Sequence, residues 1–191
     1  MAAPGFGDKD VTQPLIFVSY RHGPHWTPLA DALHLKLQAI AAGVGFDVFL
    51  DSQEIRAGND WKAAVDDALA RCTHFVALLC DEYWVRSNQC LRELFAAVKR
   101  YEDSGGAAPR LLFVLAAEMK PELLKLDAAR QRGDLQSDDP QLQALGDINF
   151  LGPFDDTYRL ESLAWNKGKR LDRQLAQLVE RLLDSGGFAR R

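Results

Sequence analysis

Four short apolar runs, the first three each followed by a stretch with helical spacing, constrain this chain more than any other feature. Leu15–Tyr20 (Leu-Ile-Phe-Val-Ser-Tyr), 46–51, 73–80 and 110–116 are rich in strand-forming residues. They are apolar on both faces rather than alternating, so each predicts a strand covered on both sides. Between them lie helical stripes: Trp26, Leu29, Ala30, Leu33, Leu37 and Ile40; then Trp61, Val65, Ala68, Leu69 and Cys72; then Leu91, Leu94, Phe95, Val98 and Tyr101. A last stripe, Leu171, Leu175, Leu178, Val179 and Leu182, predicts a closing helix. Gly43 and Gly45 are expected to stop the first helix, Asn59 or Asp60 to cap the second, and Ser87 or Asn88 to cap the third.

Strands alternating with helices, with strands apolar on both faces, mean an α/β fold. The expected architecture is a flavodoxin-like three-layer sandwich around a central parallel five-stranded sheet, order 2-1-3-4-5. The fifth, short strand is expected at 147–151. In that order the winding reverses between the first and third strands, and the crevice at their carboxyl ends is where chemistry belongs. The loops there begin at Tyr20-Arg21 and Cys80-Asp81.

At 191 residues the chain predicts one domain. The expected division is a flexible N-terminus (1–13), a single domain (14–185) with a variable segment (117–170) of weaker pattern, and a short tail (186–191). A formal charge of −4 argues against non-specific nucleic-acid binding, which relies on Lys and Arg neutralising phosphates. Three cysteines without a C-x-x-C pair predict reduced thiols. Neither a signal peptide, a myristoylation motif nor a membrane-spanning run is legible. The expectation is a cytoplasmic protein with no membrane partner.

Several chemistries find no support in the residues. Residues 19–25 lack the glycine spacing and Lys-Ser/Thr pair of a phosphate loop. No G-x-S-x-G elbow occurs. A phosphoacceptor domain of this topology would carry acidic residues after the first strand, where Ser19-Tyr20-Arg21 stands. His22 and His25 lack a third ligand, so no metal site is expected.

Three groups of residues carry a family resemblance. Ile16-Phe-Val-Ser-Tyr-Arg21 resembles the opening strand of TIR (Toll/interleukin-1 receptor) domains. Val48-Phe-Leu-Asp51 with Ile55-Arg-Ala-Gly58 and Trp61 resembles their second strand and the loop after it. Phe75-Val-Ala-Leu-Leu with Tyr83, Ser87, Cys90 and Glu93-Leu94 is similar to their third strand and next helix. The fold the resemblance implies is the flavodoxin-like one that periodicity predicts.

The resemblance implies one of two functions. Some TIR domains cleave NAD+ at the nicotinamide–ribose bond, and their motif Ser-x-Trp-Cys-x-x-Glu stands here as Ser87-Asn-Gln-Cys-Leu-Arg-Glu93. Others are non-catalytic adaptors or effectors that act by TIR–TIR contacts. The catalytic reading gives Glu93 the stabilisation of an oxocarbenium-like ribose, as a carboxylate does in glycoside hydrolysis. Tyr20, Arg21, Arg56 and Gly58 then line the NAD+ pocket, with Ser87, Gln89 and Cys90 from the motif. Gln89 replaces the family Trp, favours the adaptor reading, and can hydrogen-bond a carboxamide but not stack. NAD+ is the expected substrate, with no further cofactor and with linear or cyclic ADP-ribose as product. Self-association, a separate sensor or effector protein as trigger, and bacterial anti-phage signalling are further implications. The plainer reading of Glu93 is a solvated helix face near a favourable dipole. It lies off the apolar stripe and need not be buried.

Overall fold

The computed structural model of the protein describes residues 13–24, 26–50, 61–80, 82–83, 87–115, 157–159 and 169–184. Its elements in chain order are β1 (Leu15–Tyr20), α1 (Trp26–Val44), β2 (Asp47–Leu50), α2 (Trp61–Arg71), β3 (His74–Leu79), α3 (Asn88–Asp103), β4 (Arg110–Leu115), β5 (Thr157–Arg159) and α4 (Lys169–Asp184). The strands form one sheet in the order β2-β1-β3-β4-β5, every pair parallel. That is the flavodoxin-like topology expected from the alternation of runs.

Period-two geometry sends alternate residues of each strand to opposite layers. Leu15 and Phe17, Phe75, Ala77 and Leu79, and Leu111 and Phe113 share a buried layer with Val65, Ala68 and Leu69 of α2 and Leu91, Leu94, Ala97 and Val98 of α3. Ile16, Val18 and Tyr20, Val76 and Leu78, and Leu112 and Val114 meet α1 (Leu29, Ala30, Leu33, Leu37) and α4 (Leu175, Leu178, Val179, Leu182) on the other face. Burial on both sides explains why β1 and β3 are buried at every position. Phe17 anchors the first layer by stacking on Phe49 and Phe75, its register partners in β2 and β3, at centroid distances of 5.1 and 5.5 Å.

Helix ends follow their local chemistry. α1 runs through Gly43 and stops at Val44, so Gly45 alone terminates it. Gly45 has φ +88°, a left-handed conformation that glycine adopts without a Cβ penalty. Ser87 caps α3: its Oγ accepts the Cys90 N–H at 3.2 Å. At the other end Ser104 and the left-handed Gly105 and Gly106 close the helix. The Arg100 guanidinium of α3 reaches the Leu69 and Cys72 carbonyls and ties α3 to the end of α2.

The observed fifth strand is Thr157–Arg159, paired with Phe113–Leu115 of β4. The strand expected at 147–151 and the caps Asn59 and Asp60 lie outside the described residues. Three residues are too short a run for periodicity to identify, so β5 escaped the sequence reading.

Candidate functional site

The switch point falls between β1 and β3, as the order requires: the chain winds from β1 toward β2 on one side and from β3 toward β4 on the other. At the carboxyl ends of these two strands the buried layer under α3 changes character. Phe17 and Phe75 fill it at mid-strand, and the next register pair is Ser19 and Ala77. Two small residues side by side leave room at the end of the sheet. Tyr83 and the Glu93 carboxyl group occupy that end of the layer.

Glu93 is 3% exposed. The expectation that it could stay out of the core therefore needs correction. It flanks the buried face of α3 beside Cys90 and Ala97, one turn to either side. Both neighbours are small and let the helix lie close against β1, so the flank is covered as well. A buried carboxylate requires hydrogen-bond donors. Ser19 Oγ donates to Glu93 Oε2 at 2.6 Å. Gln89 Nε2, four residues earlier on the same face of α3, donates to Glu93 Oε1 at 3.1 Å.

The Ser19 hydroxyl has one proton, and that proton goes to Glu93. At the 2.8 Å contact between Ser19 and Tyr83 the phenol is therefore the donor. Tyr83 Oη also lies 3.1 Å from the Cys90 carbonyl and shares its proton with it. Burial raises the Tyr83 phenol well above its ordinary range, with the neighbouring Cys90 and Glu93 groups adding to the effect. Tyr83 is thus a neutral donor. Together Ser19 and Tyr83 join the end of β1 to both a side chain and the backbone of α3.

Cys90 completes the attachment. Its Sγ–H donates to the Tyr20 carbonyl at 3.3 Å. Burial, with the neighbouring Glu93 charge, pushes the thiol up to about 12. It is a protonated donor at neutral pH rather than a nucleophile.

The residues singled out from sequence divide in three. Glu93, Gln89, Cys90 and Ser87 lie together on the first two turns of α3 and its cap, as their spacing requires. Tyr20 and Arg21 adjoin them at the end of β1, but the Tyr20 side chain packs in the opposite layer, 3% exposed, and its ring stacks on His22 at 4.8 Å. It is the Tyr20 carbonyl that faces Cys90. Arg21 lies near enough for its charge to pull the Cys90 thiol down against the stronger effect of burial. Its buried Nε meets no acceptor among the described residues. Arg56 and Gly58 lie outside the described residues, as do His25 and Trp84.

Ser19 and Tyr83, the buried partners that fix Glu93, were not identified as such from the sequence. The available signal was the serine itself, one polar side chain in a strand otherwise built for burial. Such a hydroxyl must find a partner.

Among the described residues no cluster of three or more His, Cys, Asp or Glu side chains is arranged to hold a metal ion. No helix among them is long and apolar enough to cross a membrane.

Comparison with known proteins agrees with this fold. A search of curated proteins finds no match. A family model described as TIR domain matches residues 16–147, a span that runs from the first residues of β1 past β4 and includes Ser19, Tyr83, Gln89 and Glu93. With most of its length matched and the parallel β2-β1-β3-β4-β5 sheet in place, the chain belongs to the TIR-domain family.

Proposed function

We propose that the protein is a TIR-domain NAD+ hydrolase that cleaves the nicotinamide–ribose bond, with Glu93 as its catalytic carboxylate. The observation that carries this reading is the position of Glu93. It stands in register with the family's catalytic motif, and its carboxylate hydrogen-bonds Ser19 at the sheet's switch point. The TIR family includes NAD+-cleaving members, which makes the position informative.

The chemistry asks little of the protein beyond electrostatics. The C1′–N bond breaks with its electron pair passing to the pyridinium nitrogen, so nicotinamide leaves neutral and needs no general acid. Positive charge develops on the ribose. An anion fixed beside the sugar stabilises that charge more than it stabilises the ground state, which is the condition for catalysis. Water then adds to C1′ and loses a proton, giving ADP-ribose; attack by a nucleophile of the same molecule gives a cyclic product. Ser19 holds one carboxylate oxygen and the Gln89 amide meets the other, the one that would face the ribose hydroxyls. Arg21, with its buried Nε free of protein acceptors among the described residues, suits a phosphate oxygen. Self-association, typical of TIR domains, would bring a second copy's loop to the site, and NAD+ consumption suits a role in anti-phage signalling.

The burial of Glu93 favours a second reading, a non-catalytic TIR interaction module in which the carboxylate fastens α3 to β1. One assay separates the two: nicotinamide release from NAD+ by the concentrated chain, against Glu93→Gln. The glutamine keeps an oxygen for Ser19 and removes the charge. Release that is lost in Glu93→Gln supports the hydrolase. No release from a folded, assembled wild-type chain supports the interaction module.

A further inference from the structure

Two hydrogen bonds of the Glu93 carboxylate, from Ser19 and from Gln89, are not alike. Ser19 belongs to a strand buried at every position, is itself 1% exposed, and has its oxygen engaged by Tyr83 as well. Its bond to Oε2 is short, 2.6 Å. Gln89 stands on the first turn of α3, half-buried, on a side chain with three rotatable bonds. Its bond to Oε1 is 3.1 Å, an ordinary length in the ~2.7–3.2 Å range of a neutral N–H donor. One contact is built into the sheet. The other can open by rotating a single side chain.

We propose that Gln89 is a displaceable clasp on Glu93: its amide donates to Oε1, and the hydroxyls of a ribose take its place when the carboxylate engages them. This deepens the reading of the switch point as an NAD+-cleaving site and rests on it for the identity of the sugar. Gln89 is then a positioning residue, acting through Glu93. It sets how much binding free energy the substrate spends on exchanging one donor for another, so its effect falls on KM more than on kcat. Once swung away, the amide remains within one helical turn of the carboxylate. There it presents a donor and an acceptor to whatever group the ligand carries beside the sugar.

The test uses Gln89→Met in the full chain. Methionine has similar length, favours the helix and cannot donate. Glu93 accessibility is read by labelling with a water-soluble carbodiimide and glycine ethyl ester, the modified residue being located by mass spectrometry. The expected result is a rise of about five-fold in Glu93 labelling, the scale of losing one modest hydrogen bond. The KM for NAD+ is expected to fall by a similar factor with kcat changed less. Unchanged Glu93 labelling overturns the clasp, even if every variant releases nicotinamide. Raised labelling without nicotinamide release from any variant upholds the clasp and removes the hydrolase reading instead.

Discussion

Ser19 Oγ and Glu93 Oε2 lie 2.6 Å apart across 74 positions of sequence, both buried, and the contact ties the carboxyl end of β1 to the second turn of α3. Ser19→Ala leaves a buried carboxylate oxygen without this donor. The expected loss is about 1.5–3 kcal/mol, the range for a hydrogen bond to a charged group. Urea unfolding checks it through a lower midpoint at an unchanged slope. Ser19→Thr keeps the hydroxyl and should recover much of the loss.

His34 faces the α1 side of the core, and burial lowers its imidazole below the ordinary range, with Asp31 opposing. Its Nδ1 has no partner among the described residues. The unfolded chain takes up this proton near pH ~6.5, and the folded chain only at lower pH. The contribution of neutral His34 is therefore complete above the unfolded value and declines as pH falls toward the folded one. Urea midpoints measured from pH 7.5 downward should fall less steeply in His34→Leu than in wild type.

Cys72, Cys80 and Cys90 are all buried thiols. Burial raises Cys72 as well as Cys90, and the Arg100 charge only partly opposes it. A thiol reagent at pH 8 should find almost no reactive cysteine in the folded protein and all three in guanidinium. Fast native-state reaction at Cys90 would contradict its bond to the Tyr20 carbonyl.

Gln89→Trp restores the residue that the NAD+-cleaving members carry at this point of the motif. A tryptophan supplies a stacking face for nicotinamide and cannot close on Glu93 as the glutamine amide does. Nicotinamide release should rise about two- to ten-fold, what an aromatic contact of ~0.5–1.5 kcal/mol gives when it acts on the barrier. A pure interaction module would stay inert, which makes the same variant a check on the proposed function.

Much of this fold was legible because the strands are buried on both faces. Four apolar runs and their helical stripes sufficed for the sheet order, since parallel strands with right-handed crossovers leave few arrangements. Boundaries moved by a residue or two, and Gly43 proved to be inside α1. β5 was missed because three residues carry no period. Glu93 was found through its motif, but its burial was not, because the apolar stripe of α3 marks the centre of the buried face and not its edge. That edge depends on how closely the helix approaches, set by Cys90 and Ala97. The role of Ser19 depends on a residue 74 positions away, which no local pattern encodes.

The start of α3 touches β1 at two successive residues: Cys90 through the Tyr20 carbonyl and Glu93 through the Ser19 hydroxyl. Apolar packing of Leu91, Leu94, Ala97 and Val98 seats the helix on the sheet, and these two polar contacts add a fixed register to that seat. A change at the Glu93 carboxylate therefore reaches β1 directly, without passing through the rest of the core.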